Sequence, residues 1–113
     1  MISVSKNETL LVAYNRMRSS DISQVPVLED GKLIGVVDEE DLLITLSKDK
    51  AFFSSPVEDF MVHNLEILQH NSDESDLLSI LSKGKVAIIY KDQTFIGFIT
   101  KVDLINHYRN KVN

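Results

Sequence analysis

An internal repeat constrains this sequence more than any other feature. Residues 33–43 align without a gap on residues 95–105, at a constant offset of 62 positions (97 minus 35). A glycine and an aspartate recur in register, as Gly35 with Gly97 and Asp41 with Asp103. Repeats of this size are typical of a supersecondary unit that buries its apolar face against a second copy. The sequence therefore predicts two similar units.

The first copy is predicted to run strand, helix, strand, strand, helix. Ser5 and Glu8 have the spacing of a capping box, which places Ser5 at the N-cap of the first helix. The apolar stripe of that helix is Leu10, Ala13, Tyr14 and Met17. Residues 25–28 and 33–37 are predicted strands joined by a turn at 29–32, and a second helix follows over about 39–46.

The second copy repeats this order. Ser72 is the predicted cap of a helix whose stripe is Leu77, Ile80 and Leu81. Strands are predicted over 86–90 and 95–99, and the last helix runs from Thr100 to about Arg109. The fold class is α+β, with two βαββα repeats packed face to face by pseudo-two-fold symmetry. The predicted module spans residues 1–113, with repeats over about 1–48 and 65–110 and a linker over about 49–64.

Composition excludes several classes of protein. The chain has 113 residues, no cysteine and a net charge of −5, so disulfides, cysteine-based zinc sites and thiol nucleophiles are excluded. Basic residues are scattered, which argues against nucleic acid as a partner. No apolar run is long enough to span a membrane, and a cytoplasmic location is expected.

Two segments carry a resemblance to a known family. The first is the stretch from Gln24 to Val27, followed by Asp30-Gly31, by Gly35-Val36-Val37 and by Asp41-Leu42-Leu43. The second is the stretch from Gly97 to Leu104. Together they resemble a tandem pair of CBS domains, also called a Bateman module. More narrowly, residues 22–27 and 99–105 resemble the C-terminal regulatory region of cystathionine β-synthase, which follows a pyridoxal-phosphate catalytic domain.

The resemblance implies a non-catalytic module that senses an adenosyl effector, either S-adenosylmethionine or AMP/ATP. It also implies a homodimer and, if the chain is excised from a longer enzyme, a catalytic domain as partner. The residues that it assigns to the ligand are Ile22, Ser23, Gln24, Val25, Phe98, Thr100, Val102 and Asp103.

The chemistry of Thr100 and Asp103 supports this assignment. A carboxylate accepts hydrogen bonds from both vicinal hydroxyls of a ribose, and charge-assisted hydrogen bonds are the stronger kind. The first turn of a helix favours the ionised form of Asp103. The same spacing is equally that of an ordinary N-cap followed by an acidic residue, and the two roles are compatible.

A second cleft is expected to be degenerate. Asp38 stands where Thr100 stands in the other copy, and the carboxylates of residues 38–41 repel a phosphate. The residues predicted for this cleft are Asp38, Asp41, Lys85, Val86 and Ala87. Because only Lys101 adds a positive charge near Thr100, S-adenosylmethionine suits the competent site better than ATP, and AMP remains allowed.

The remaining signals indicate neither a metal nor a reaction. The acidic run 38–41 lacks the loop spacing of a metal motif, and the three histidines lack ligand spacing. No sequence signature brings a nucleophile and a base together, so no catalytic residue is assigned. The alternative function is a structural dimerisation module without a ligand. Phe52-Phe53 is assigned either to packing under the linker or to a partner interface.

Overall fold

The computed structural model describes residues 1–112. The predicted module extends to residue 113, which lies outside the described residues. The described residues form two compact units, which divide between Leu65 and Glu66. Helices and sheets occur in both units, so the α+β class is confirmed.

The first unit contains two helices and a two-stranded hairpin. Its elements are α1 (Leu10–Ser20), β1 (Gln24–Glu29), β2 (Lys32–Asp38) and α2 (Glu39–Lys48). The hairpin turns at Asp30 and Gly31, whose φ angles of 51° and 78° suit a tight two-residue turn between twisted strands. The predicted first strand is reduced to a single parallel bridge between Val4 and Val27.

The second unit repeats this order with a complete first strand. Its elements are β3 (Ile67–Gln69), α3 (Glu74–Ser82), β4 (Ala87–Lys91), β5 (Thr94–Ile99) and α4 (Lys101–Arg109). The sheet order is β3-β4-β5, with β3 parallel to β4 and β4 antiparallel to β5. Of these elements, β4, β5 and α4 were predicted to within one residue at each end.

The N-caps predicted for the first helix of each unit are wrong. α1 begins at Leu10, and the hydroxyl of Thr9 accepts the hydrogen bond from the backbone N–H of Val12. Ser5 and Glu8 form a separate turn, in which the Glu8 carboxylate accepts from the Ser5 N–H at 2.9 Å. This turn satisfies the capping-box pattern before the helix begins. α3 has Asp73 at its N-cap, not Ser72, and that side chain makes no capping hydrogen bond.

The core of the first unit includes part of the predicted linker. Leu10, Ala13 and Met17 of the α1 stripe are buried, as predicted, and pack with Val25 and Val27 of β1. We call residues 49–64 the connector. Val57, which lies in the connector, is 0% exposed and belongs to the same core. The connector forms two short 3-10 turns, Lys50–Ser54 and Val57–Asp59.

The two phenylalanines of the connector also pack within the first unit. The Phe52 ring meets the Phe60 ring edge to face with centroids 5.0 Å apart, and Phe53 meets Tyr14 in the same way at 5.9 Å. Such pairs stabilise beyond the area they bury. The two roles considered for Phe52-Phe53 were packing under the linker and a partner interface. The structure favours packing.

Candidate functional site

The start of α4 carries the central pair of predicted site residues. Thr100 has extended backbone angles, and its hydroxyl accepts a hydrogen bond from the Asp103 N–H at 3.4 Å. The Asp103 Oδ2 atom accepts in turn from the Thr100 N–H at 2.8 Å and from the Thr100 hydroxyl at 3.0 Å. The two residues thus form a reciprocal capping box. The capping role that the spacing of Thr100 and Asp103 allowed is confirmed.

The capping box leaves half of the Asp103 carboxylate available. Both hydrogen bonds from Thr100 end on Oδ2, and Oδ1 receives no hydrogen bond from residues 1–112. Asp103 itself is exposed, and Thr100 is half-buried. A carboxylate whose direction is fixed by one oxygen and whose other oxygen faces solvent is well placed to accept hydrogen bonds from sugar hydroxyls.

Phe98 and Val102, the apolar ligand residues that the resemblance predicts, differ in how far they are buried. Phe98 is half-buried on β5 and packs against Phe95, with ring centroids 5.4 Å apart. Val102, in the first turn of α4, is 72% exposed. The start of α4 therefore presents an exposed apolar side chain in the same helical turn as Asp103.

The predicted ligand residues of the first unit lie where β1 begins. The Ile22 N–H donates to the Met17 carbonyl at 3.0 Å, and the Ser23 carbonyl accepts from the Glu39 N–H at 2.8 Å. Gln24 is half-buried, whereas the Val25 side chain is 0% exposed and belongs to the core. Val25 therefore has only backbone atoms to offer a ligand.

The helix start of the first unit lacks the reciprocal box. Asp38 is the N-cap of α2, and its Oδ1 atom accepts from the Asp41 N–H at 3.1 Å. Partial removal from water, together with the nearby charge of Asp38, raises the pKa of the Asp41 carboxyl. The void beside both aspartates has a volume of only about 10 Å³, room for one water at most. Residues 38 and 41 thus form a poorer acceptor site for ligand hydroxyls than residues 100 and 103.

We expect Asp41→Asn to stabilise the protein relative to Glu40→Gln at neutral pH. The raised pKa of Asp41 means that its ionised form costs stability above the folded-state pKa, and that this cost vanishes below the ordinary pKa of an aspartate. Both variants remove one charge from the first turn of α2, so they share any helix-dipole effect. The expected difference in unfolding free energy between the two variants is no more than about 0.5 kcal/mol, because Asp41 is exposed. Urea unfolding at pH 7 and pH 3 measures it; a difference that grows on acidification contradicts the assignment.

The second-unit residues predicted for the degenerate cleft form an ion pair or are buried within their own unit. The Lys85 ammonium lies 3.4 Å from the Glu66 carboxylate. Val86 is half-buried, and Ala87, the first residue of β4, is 0% exposed. Lys85 is therefore already partly neutralised by a neighbour on its own unit.

Residues 1–112 hold no group of three or more histidine, cysteine, aspartate or glutamate side chains arranged to bind a metal ion. Within the same residues, no helix has the length and apolar character needed to cross a bilayer.

Sequence reasoning missed a cavity of about 250 Å³ in the second unit. It lies beside the start of α3 and the middle of α4, and it is lined by residues that include Glu74, Leu77, Leu104 and His107. The His107 side chain is 51% exposed, as predicted for a surface residue, and its Nε2 atom lies 3.7 Å from the Glu74 carboxylate. No local pattern marks this cavity, because it results from how the second unit packs.

The sequence of this chain matches one protein family and several curated relatives. The model of the family described as "CBS domain" matches residues 1–48 and 57–110. A CBS domain-containing protein of Methanocaldococcus jannaschii is 28% identical over 116 residues, which cover 97% of this chain and 89% of that protein. An inosine-5'-monophosphate dehydrogenase of Thermoplasma acidophilum is 28% identical over 109 residues, covering 94% of this chain. The chain spans only 21% of the length of that dehydrogenase.

Solved structures show the same fold. An uncharacterized conserved protein from Pyrococcus horikoshii superposes with a TM-score of 0.88 at 21% identity, over 100% of this chain and 88% of the other. A CBS-domain containing protein from Agrobacterium tumefaciens gives a TM-score of 0.87 at 22% identity, over 96% and 89% of the two chains.

Proposed function

Because the chain belongs to the CBS domain family, we propose that it is a regulatory module whose effector is an adenosyl ligand held by Asp103. The family resemblance read from the sequence is thereby confirmed, and with it a regulatory rather than a catalytic role. The cystathionine β-synthase parent gains no support from the comparisons, which report an inosine-5'-monophosphate dehydrogenase and a CBS domain-containing protein among the relatives. The proposal therefore does not depend on a pyridoxal-phosphate enzyme.

The observation that carries the proposal is the orientation of the Asp103 carboxylate. Its Oδ2 is fixed by two hydrogen bonds from Thr100, of 2.8 and 3.0 Å. A ligand that hydrogen-bonds to Oδ1 does not have to order a mobile side chain, and this lowers the entropic cost of binding. The ribose of an adenosyl group offers the paired hydroxyls that such an acceptor requires.

The charges near this helix start favour a ligand with few phosphates. Lys101 is the exposed cation that directly follows Thr100, and the whole chain carries a net charge of −5. We therefore expect S-adenosylmethionine or AMP to bind more tightly than ATP. The assignment of Ile22, Ser23, Gln24 and Val25 to the same ligand stays a prediction from the resemblance, as does the homodimer.

Replacing Asp103 with asparagine tests the proposal. Asparagine keeps an oxygen that accepts from the Thr100 backbone, so the capping box survives in part while the charge is lost. Losing a charged hydrogen-bond acceptor costs about 1.5–3 kcal/mol, which corresponds to a dissociation constant about 10–150-fold higher. Isothermal titration calorimetry with S-adenosylmethionine, AMP, ADP and ATP measures this effect.

Asp41→Asn is the matched control, since residue 41 is the repeat equivalent of residue 103. We expect it to leave ligand affinity unchanged. Thermal unfolding of both variants shows whether each is folded. Unchanged affinity in Asp103→Asn would remove the assignment of Asp103. Failure of the wild-type chain to bind any of the four ligands would favour the alternative, a structural dimerisation module.

A further inference from the structure

Three aromatic rings lie together on the hairpin of the second unit. The centroid of the Tyr90 ring, on β4, is 6.0 Å from that of the Phe95 ring, on β5. The centroid of the Phe95 ring is in turn 5.4 Å from that of the Phe98 ring. All three residues are half-buried, so each keeps part of its surface in contact with solvent. We call Tyr90, Phe95 and Phe98 the aromatic triad.

A bulge in β5 brings Phe95 and Phe98 to the same face of the hairpin. Side chains alternate between the two faces of a regular strand, so residues three positions apart point to opposite faces. In the pairing of β5 with β4, however, Ile96 has no partner. One extra residue reverses the alternation, and Gly97 permits it with a φ angle of 152°. The rings of the triad therefore form one continuous aromatic surface.

The triad ends beside the candidate site. Ile99 packs against the core of the second unit, and because neighbouring residues of a strand face opposite ways, Phe98 and Thr100 point away from that core. Two residues of extended chain separate their Cα atoms by about 7 Å. Thr100 also holds the Asp103 carboxylate by the two hydrogen bonds to Oδ2. A nucleoside whose ribose lies on Asp103 therefore has its base within reach of the Phe98 ring.

The first unit has aliphatic side chains at the equivalent positions. At the 62-residue offset, the equivalents of the triad are Leu28, Leu33 and Val36. The bulge is repeated as well, since the pairing of β1 with β2 shifts register between Val27 and Leu28. Both units form this hairpin, so the fold does not require aromatic rings in it. The rings occur in the unit whose helix start holds the reciprocal box of Thr100 and Asp103, and the aliphatic side chains occur in the unit that lacks it.

We propose that the Phe98 ring is the stacking face for the base of the effector, and that Phe95 and Tyr90 are positioning residues that hold this ring. The ring planes of Phe95 and Phe98 are inclined by 59°, and those of Tyr90 and Phe95 by 54°, in the tilted geometry that aromatic pairs favour. A ring held in this way does not have to be ordered when a base stacks on it, which lowers the entropic cost of binding. This role rests on the proposed function, because the base is placed by a ribose that Asp103 holds.

The triad favours a purine as the base. Stacking on an aromatic face stabilises every nucleobase, and the gain increases with the area removed from water. A purine has two fused rings and a pyrimidine has one, so a purine buries more surface against the triad. The class of ligand is therefore a purine nucleoside whose ribose hydroxyls bind the Asp103 carboxylate.

Exchanging triad residues for their first-unit equivalents tests the proposal. Phe98→Val and Phe95→Leu introduce side chains that the first unit already has in the same hairpin, and thermal unfolding shows whether each variant is folded. The probes are adenosine and cytidine, which share the ribose and differ in the base, and NMR titration gives their dissociation constants. We expect Phe98→Val to weaken adenosine by at least about fivefold and Phe95→Leu to weaken it by about threefold. Cytidine should lose less, so the preference for adenosine should decrease in both variants.

The proton spectrum of the bound base separates stacking from a merely structural role. A proton above the face of an aromatic ring is shifted upfield, so the adenine H2 and H8 resonances of adenosine should move upfield on binding to the wild-type chain. The shift should be smaller in Phe95→Leu and should be lost in Phe98→Val. Leu33→Phe is the matched control, because it makes the reverse exchange at the first-unit position equivalent to Phe95. We expect it to leave both dissociation constants and the proton shifts unchanged.

Three outcomes would overturn the stacking role. If Asp103→Asn weakens adenosine but Phe98→Val changes neither the base preference nor the proton shifts, the proposed function stands and the stacking role is wrong. If adenosine and cytidine weaken equally in both triad variants, the triad only supports the fold. If the wild-type chain does not bind adenosine, the stacking role and the adenosyl effector are both rejected.

Discussion

Val57→Asp is expected to unfold the first unit or to destabilise it by about 3–5 kcal/mol, the cost of an uncompensated buried charge. Val57 is 0% exposed, and its neighbours in the core, such as Leu10 and Leu42, are aliphatic. An aspartate there has no cation to pair with in that core, so it must stay ionised at high cost, take up a proton or expel the connector. The free energy of unfolding, measured by urea titration with far-UV circular dichroism, checks this.

Ser54→Asp is the matched control, because it adds the same charge at an exposed position three residues earlier in the connector. We expect it to change the unfolding free energy by no more than about 0.5 kcal/mol. Val57→Ala should give an intermediate loss of about 2 kcal/mol, since it removes two buried methyl groups and leaves a small cavity. Equal stabilities of Val57→Asp and Ser54→Asp would contradict the packing of the connector.

Val57 also marks the limit of what the sequence alone predicts. The strands and helices follow from local signals, namely apolar periodicity, turn residues and the 62-residue repeat, and these the structure confirms. The connector has no such period: Val57 stands between a proline and two acidic residues in a three-residue 3-10 turn. Its burial depends on contacts with residues far away in sequence, such as the Glu8 carbonyl. A pattern search therefore assigns it to a linker.

The candidate site was likewise predicted only in part from the sequence. The Thr100 and Asp103 pair was identified from its spacing, because a capping box is a local structure whose geometry the sequence specifies. The Ser5 and Glu8 pair has a compatible spacing but forms a turn ahead of α1, since Thr9 takes the N-cap. The cavity of about 250 Å³ in the second unit could not be predicted, because it results from packing between residues far apart in sequence.

Gly35 and Gly97 occupy equivalent positions in the two hairpins, but glycine is required at each for a different reason. A Cβ atom on Gly35 would lie 2.6 Å from the sulfur and 2.8 Å from the Cγ of Met61. A Cβ on Gly97 would meet nothing within 4 Å, but its φ of 152° is one that residues with a side chain rarely adopt. The repeat signals a glycine at both positions; only the structure shows that one is required by packing and the other by the backbone.

Gly35→Ala and Gly97→Ala are therefore both expected to destabilise the protein by about 1–3 kcal/mol, the first through overpacking and the second through backbone strain. The two causes separate in a double-mutant cycle with Met61→Ala. Shortening Met61 removes the atoms that clash with a Cβ at position 35, so Gly35→Ala should cost clearly less in the Met61→Ala background. Gly97→Ala should cost the same in both backgrounds, because Met61 is absent from its surroundings. Urea unfolding of the six proteins measures the two coupling energies, and a coupling of zero for Gly35 would show that contact with Met61 does not select glycine there.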